Sequence, residues 1–436
     1  MPDDLSDILL WRRRRGTPSW LIRDPDTGEL PALDIDAQNN RAWYLGASQP
    51  VSSLLTCSRA SGGYAARLDG SLEWFGSNAL RITNRGLLVE GARTNLLLRS
   101  QEFESGAWTK TLCTALDNQL IAPNGLLQGA IITDTSTSGT ELAQAVTVSS
   151  GATVSVFRIV KRQSHDWVRL SIFNSSNTSG VRAWFNLSTG AAGAFNVVGG
   201  GVANERGIRA LSNGWYLCWF TGSMAGETSY RFMSCSASGD ATTARVDGGV
   251  RGEWGAQLEA AAFPSTYIPT GASTVTRAAD NIYLGNISGL PIAAGTIIGR
   301  GTVYAPSASN QVIAAYNDAG AYGAGNGLLL RRSGTARELG GNGTSVTATM
   351  AANPATDTWA GSWSIAGTLQ RVASSSGGYT SGATLDFTGV NATRLQIGAN
   401  SGAGGQPFNG YIERIVMLPG LRSQSQMAAL ISKVAA

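Results

Sequence analysis

Apolar and polar residues alternate one by one along Trp167-Val168-Arg169-Leu170-Ser171-Ile172-Phe173. A period of two suits a β-strand, whose successive side chains point to opposite faces, and does not suit a helix. Val146 to Ser149, Ala152 to Val160 and Val181 to Leu187 repeat the pattern, and Ser/Asn/Gly turns separate most of these runs. Short strands at short spacing predict an antiparallel sandwich. Composition narrows the choice further. Gly numbers 55 of 436 residues and charged residues make up only 14%, against a typical ~25%. The surface is therefore Ser/Thr/Asn/Gly rather than ionic, which excludes a Glu/Lys/Leu-rich coiled-coil rod. Twelve Trp, 11 Tyr and 11 Phe supply ample core material and argue against long disorder.

Within Trp167 to Phe173 one face presents Val168, Leu170 and Ile172; the other presents Trp167, Arg169, Ser171 and Phe173, a mixed polar-aromatic surface. The run Trp215-Tyr216-Leu217-Cys218-Trp219-Phe220 is apolar on both faces. A strand tolerates that when it is covered on both sides, or when one face is a ligand platform. In Trp254-Gly255-Ala256-Gln257-Leu258-Glu259, Trp254 shares a face with Ala256 and Leu258 under strict alternation and is assigned to the core.

A chain of 436 residues is long enough for two to four domains. The first 94 are turn-rich, with Thr17-Pro18, Asp24-Pro25-Asp26-Thr27-Gly28 and Gln49-Pro50, and their short apolar runs promise no large core of their own. Asp3-Asp4-Leu5-Ser6-Asp7 opens a short helix with acids at its start and Arg12-Arg13-Arg14-Arg15 after it, the polarity the helix dipole favours. Residues 1–94 are therefore read as an extended attachment segment, with Trp11, Arg12, Arg13, Arg14 and Arg15 as its docking candidates. Residues 95–280 form a first β-sandwich. A linker-like stretch from Thr270 to Asp280 leads to a second, residues 281–436, with strands at Thr296 to Tyr304, Gln311 to Tyr316, Gly327 to Arg331, Leu395 to Gly398 and Gly410 to Met417. Ser423 caps a closing helix from Gln424 to Lys433.

Several function classes fall away. Thirty-three basic against 29 acidic residues gives +4, too little over this length for a nucleic-acid surface. The chain opens on acids where a signal peptide would be basic, and no run approaches the 18 apolar residues of a membrane span, so cytoplasmic synthesis without membrane insertion is expected. Four cysteines, Cys57, Cys113, Cys218 and Cys235, show no CxxC spacing and read as reduced, buried thiols. His165 is the only histidine, so a His-based metal centre or a Ser-His-Asp triad would have to use it, and it sits in a polar loop. Twenty-nine acids leave many carboxylate pairs whose separation a sequence does not fix. Gly199-Gly200-Gly201 lacks the strand-then-helix context of a phosphate loop. No enzyme, cofactor or metal is expected; Glu102 and Glu104, near the first strand, read as loop acids rather than calcium ligands.

At Gly86-Leu87-Leu88-Val89-Glu90-Gly91-Ala92-Arg93-Thr94-Asn95-Leu96-Leu97 a resemblance becomes specific. Ser58-Arg59-Ala60-Ser61 precedes it and Ser100 to Lys110 follows. Phe185-Asn186-Leu187-Ser188-Thr189-Gly190, Asn213-Gly214-Trp215-Tyr216, Trp254 to Glu259 and Tyr267-Ile268-Pro269-Thr270 continue it in order, through Thr276 to Asp280. Together they resemble a cassette of tail-fibre, head-fibre and head-spike proteins from tailed phages and gene transfer agents, over roughly residues 55–280. The resemblance implies a jelly-roll akin to carbohydrate-binding modules, carried on a virion. More weakly, Asn391 to Gly398 and Phe408 to Glu413 are similar to laminin-G and concanavalin-A-like sandwiches. It thus implies an all-β chain, tandem antiparallel jelly-roll sandwiches behind an attachment segment. It also implies a homo-oligomeric spike or fibre, assembled in the bacterial cytoplasm and exposed on the released particle. Its partners would be host capsular or surface polysaccharide and other virion proteins at a capsid vertex or tail.

Sugars are held by aromatic rings on their C–H faces and by Asn, Asp, Gln and Arg on their hydroxyls. Trp167, Trp184, Trp215, Tyr216 and Trp219 are the stacking candidates, with Arg169 and Arg182 as polar partners. Core packing competes for every one of these tryptophans. Two function classes therefore stand side by side: an attachment protein that binds polysaccharide, and a decorative structural protein that does not.

Overall fold

The computed structural model describes residues 17–306, 308, 310–317, 328–341, 344–364, 369–383, 392–401 and 405–436. Trp11, Arg12, Arg13, Arg14, Arg15 and the helix expected around them lie outside the described residues, as does Asn391. The regular structure of the described chain is almost wholly antiparallel strand, as its alternation requires. It divides into two compact units that interleave along the sequence. One takes Arg59–Ala79 and Ala92–Ala278; the other takes the described part of Met1–Ser58, then Leu80–Gly91 and Ala279–Ala436. The boundaries expected at 94/95 and 280/281 are thus replaced by a nested division, and the stretch before Asn95 is not an extended arm where it is described: it is shared between the two units.

The first unit is a sandwich of two six-stranded sheets. Thr109–Thr111, Glu141–Thr147, Ser229–Ala237, Trp167–Phe173, Gly180–Asn186 and Ala191–Val198 lie in that order in one. Cys113–Ile121, Leu127–Asp134, Val250–Glu259, Val154–Arg162, Trp215–Met224 and Gly201–Ala210 form the other. Val168, Leu170 and Ile172 from the first sheet meet Val156, Val160, Cys218 and Phe220 from the second in the inter-sheet core. Trp215 and Leu217 point the other way, into a further core completed by Tyr64, Leu72, Trp254 and Tyr267. Its cover is the hairpin Gly63–Ala66/Leu72–Phe75, drawn from the supposed attachment segment. The run Trp215 to Phe220 is apolar on both faces because it is covered on both.

Gly255 changes the parity of its strand. The pairing of Val154–Arg162 with Val250–Glu259 slips between Phe157 and Ile159, opposite Gly255, whose φ is +59°, a conformation that favours glycine. The bulge turns Trp254 into the outer core while Ala256 and Leu258 stay in the inter-sheet core. Strict alternation put all three on one face; the inserted residue separates them.

Four charges are sealed in this sandwich. Arg251 bonds Asp134 at 2.8 Å and Glu253 at 2.6 Å, and Ser234 donates to Glu253 at 2.7 Å. Arg158 approaches Glu253 at 2.9 Å without an aligned hydrogen bond, and its guanidinium carbon lies 4.3 Å from the Trp108 ring centroid and about 5 Å from those of Phe103 and Phe232. Burial pushes Arg158 down to about 10, with Glu253 opposing and Arg251 adding to the fall.

In the second unit, Leu33–Asp36 lies between Arg41–Tyr44 and Gly410–Pro419, which pairs onward with Ala294–Val303. The facing sheet contains Gln311–Asn317, Arg394–Ile397 and Asn281–Leu284, and takes Thr56–Ser58 as an edge. Leu33, Ile35, Val51, Leu87 and Val89 join Ile297, Ile313, Trp359, Trp363 and Ile415 in one core. The helix Gln424–Ala435 buries Met427, Leu430, Ile431 and Val434 on the outside of the first of these sheets, and Ser423 closes a reciprocal capping box with Gln426.

A candidate ligand groove on an outer sheet face

In Trp167–Phe173 the residues between the core positions face outward. Register aligns Ser171 with Arg182 on one side and Met233 on the other, and Phe173 with Arg231. Arg169, Phe173, Arg182, Arg231 and Met233 therefore share one outer face, as the alternating pattern of each strand dictates. Loops raise walls around it. Arg245 arrives on the turn after Ser229–Ala237, its backbone N–H donating to Thr137 O at 3.0 Å and its Nε to Thr140 O at 3.1 Å. On the other side Asn177 stands on a turn that Asn174 ties to Thr178 at 3.0 Å and to Glu227 at 2.8 Å. The result is an open groove of about 540 Å³.

Phe173 and Met233 form its apolar floor, and Arg182 lies over the Phe173 ring at 4.9 Å. Glu141 sits at the edge and pairs with Arg231 at 3.1 Å; Arg231 also donates to Asn177 at 2.7 Å. Arg169 is only 5% exposed, and its Nε has no hydrogen-bond partner. Burial, reinforced by Arg245, holds the Arg182 guanidinium below its ordinary value. Arg245 is likewise held down by burial, with Arg169 adding to the fall while Cys235, Asp134 and Glu141 oppose it. The groove thus offers donors, a flat apolar floor and an excess of positive charge.

The seven sequence candidates separate. Arg169 and Arg182 meet in the groove. Trp184 lies on the same sheet face but is 1% exposed, its indole N–H donating to Thr242 O at 2.8 Å, so the ring is a prop beneath the loop rather than a sugar platform. Trp215 is fully buried and donates to Ile121 O at 2.9 Å, which removes it as a stacking residue. Trp219 is half-buried at the outer core, against Gly207. Tyr216 is half-buried against Gly190 and the inter-sheet core. Trp167 is half-buried beside Gly193 and Asp240, outside the groove lining.

Three charged groove residues escaped the sequence reading. Arg231 was legible, because Tyr230-Arg231-Phe232-Met233 alternates like its neighbour strand; Arg245 and Glu141 carry no local signal. Trp74 was missed as well. It is 51% exposed, edge-on to Tyr64 at 5.0 Å, and borders a small cleft of about 80 Å³ with Gly62, Pro269 and Val275. The second unit has an open hollow of about 500 Å³ between Ser374 to Tyr379 and the terminal helix, lined without charged side chains.

Among the described residues, no group of three or more His, Cys, Asp or Glu stands close enough to hold a metal. Glu102 pairs with Arg99 at 2.8 Å. His165 Nδ1 lies 2.7 Å from Ser164 Oγ, which accepts from the Val250 N–H at 2.8 Å, so this Ser–His contact is part of a turn. Among the described residues no helix is long and apolar enough to cross a membrane.

No protein-family model matches the sequence, and no curated protein matches it. Among solved structures, it is similar to the carbohydrate-binding module CBM40 of the Ruminococcus gnavus IT-sialidase bound to α2,3-sialyllactose: 12% identity, 32% of this chain, 83% of that one, TM-score 0.29. It is also similar to a leech intramolecular trans-sialidase complexed with 2,7-anhydro-Neu5Ac, at 13% identity over 35% of this chain and 26% of that one, TM-score 0.30. The LG1–3 region of the laminin α2 chain is matched at 10% identity over 63% of each chain, TM-score 0.23.

Proposed function

We propose that this chain is a non-enzymatic glycan-binding protein that uses the outer-face groove of the 92–278 sandwich to hold surface polysaccharide. The observation that carries the reading is the groove itself, where Arg169 and Arg182 converge over the Phe173 floor. An apolar floor ringed by a few convergent donors is the composition of a ligand site, and its openness suits a polymer passing through. The finer role follows from the cassette resemblance: a virion spike or fibre that attaches a particle to a bacterial cell, docked by its first residues to capsid or tail. In a homo-oligomer, several weak grooves would act together, and avidity would replace single-site affinity.

A structural, decorative role is the second reading. Burial of Trp184 and Trp215 favours it, because two of the expected sugar platforms serve packing instead.

The test is binding of the full chain to immobilised capsular and lipopolysaccharide extracts from candidate host strains, beside Arg182→Ala. Saturable binding lost in a variant with unchanged melting temperature supports the groove. Binding that survives in the variant moves the site elsewhere, with the Trp74 cleft and the hollow beside the terminal helix as next candidates. No binding to any extract by folded protein favours the decorative role.

A further inference from the structure

The groove is built for charge as much as for shape. Four arginines, Arg169, Arg182, Arg231 and Arg245, line it against the single carboxylate of Glu141. Arg231 takes that carboxylate. Arg169, Arg182 and Arg245 have no carboxylate partner among the described residues. Two bland explanations fall short of the set. The guanidinium of Arg182 is accounted for in part by stacking on the Phe173 ring. Arg245 is accounted for by the carbonyls of Thr140 and Thr243, which it ties together. Neither accounts for Arg169, which is nine-tenths buried, has an unpartnered Nε and lines the same cavity with its side chain. A buried cation without a counter-charge is costly, and crowding it with two more makes it costlier. An anion entering the groove would relieve that cost, and the planar guanidinium fork matches a carboxylate or phosphate in two parallel hydrogen bonds.

We propose that the groove selects acidic glycans, seating a carboxylate, sulfate or phosphate substituent against Arg169 with Arg182 and Arg245 around it, while the sugar ring lies on the Phe173 floor. This rests on the glycan-binding reading and adds the chemical class of its ligand.

The experiment has two arms on the full-length protein. In the first, the arginine Nε–Hε resonances are followed by NMR during titration with sodium glucuronate, glucose and sodium sulfate. Glucuronate is expected to shift Arg169 and Arg182 saturably and at least tenfold more tightly than glucose, with sulfate weaker than glucuronate. Arg182→Gln should lose at least tenfold in glucuronate affinity, and Arg182→Lys should recover part of the loss. Glucuronate no tighter than glucose overturns the proposal. Sulfate as tight as glucuronate overturns the sugar half of it, leaving a bare anion pocket.

In the second arm, host capsular extract is compared before and after chemical reduction of its carboxyl groups, beside dextran sulfate and double-stranded DNA. Loss on reduction identifies a carboxylate as the anion, and retention with equal binding to dextran sulfate identifies an ester sulfate or phosphate; both support acidic selectivity. Retention without dextran sulfate binding overturns it while the glycan reading stands. DNA bound as tightly as any glycan overturns it in favour of a general polyanion surface. Extract that never binds, before or after reduction, sinks the glycan reading separately.

Discussion

Substituting Glu253 by Gln should damage the 92–278 sandwich more than removing the arginine it faces. Glu253 is fully buried and receives Arg251 at 2.6 Å, Ser234 at 2.7 Å and the approach of Arg158 at 2.9 Å. With Asp134 it balances Arg158 and Arg251 charge for charge. Gln leaves two buried guanidinium groups and one carboxylate, the kind of uncompensated charge that costs about 3–5 kcal/mol. In a unit of about two hundred residues each kcal/mol moves the midpoint by ~2–4 °C, so a fall of about 6–20 °C is expected. Arg158→Met also leaves one charge unmatched, but on a carboxylate that keeps its hydrogen bonds and can take up a proton. No nitrogen of Arg158 makes an aligned hydrogen bond, three aromatic rings surround it, and Glu253 keeps Arg251 and Ser234 when it goes. A long apolar side chain fits among those rings, and a loss within about 2 kcal/mol follows. The pair of substitutions together should cost less than E253Q alone, because the uncompensated charge is then gone. Calorimetry of the full chain and of the three variants reads all of this. If R158M costs as much as E253Q, the unmatched guanidinium is no costlier than the unmatched carboxylate and that part of the reasoning is wrong; if the double variant shows no recovery, the charge-balance reasoning itself is wrong. The pH dependence carries a sign as well: burial holds Arg158 down to about 10, below its unfolded value. As pH rises through 10 the native state releases this proton before the unfolded state does, so the contribution of Arg158 to stability increases with pH, and R158M should lose that increase.

Trp215→Ala should cost about 3–5 kcal/mol in urea unfolding, as expected for a fully buried indole, whereas Trp74→Ala, half in solvent, should cost under about 1 kcal/mol. Equal costs would contradict the assignment of Trp215 to the core. Ser423→Ala removes the hydroxyl that accepts from the Gln426 N–H and should cost about 1 kcal/mol, read as faster amide exchange in the first turn of Gln424–Ala435. All four thiols are buried, and burial raises Cys113 to about 11 and Cys218 well above its ordinary value. At pH 8 the native chain should therefore resist a thiolate-directed reagent, and four groups should react once urea unfolds it.

Much of the fold was legible because the buried strands carry their own period. Trp167–Phe173 coincides with its expected bounds, and Ser423 stands at the N-cap where its sequence placed it. What failed did so for identifiable reasons. Ala191–Val198 and Gly201–Ala210 are edge strands, largely open to solvent, so no apolar period marks them. Strands as short as Leu33–Asp36 bury all four residues against a partner nearly four hundred positions away, a pairing that local pattern cannot announce. The groove was half legible: alternation placed Arg169 and Arg182 on an outer face, but loop closure brought Arg245 and no sequence period records it. The cassette residues turned out to be scaffold. Asn95 donates to Ala256 O and Ile268 O at 3.0 and 2.9 Å, and Gln257 accepts from the Ile268 N–H at 2.7 Å, so these residues tie one end of the sandwich together.

The pairing of Leu33 with Met417 sets a schedule for synthesis. The 92–278 sandwich has its last strand partner available once Ala278 has left the ribosome, but Leu33–Asp36 waits for Gly410–Pro419. At about 5–20 residues per second that interval is roughly 20–75 s. Throughout it Leu33, Ile35, Tyr44 and Val51, all buried in the finished unit, have no core to enter. A ribosome pausing late in the message would lengthen that exposure, so the nascent chain should bind a holdase through its first sixty residues and be released only when the final sheet closes.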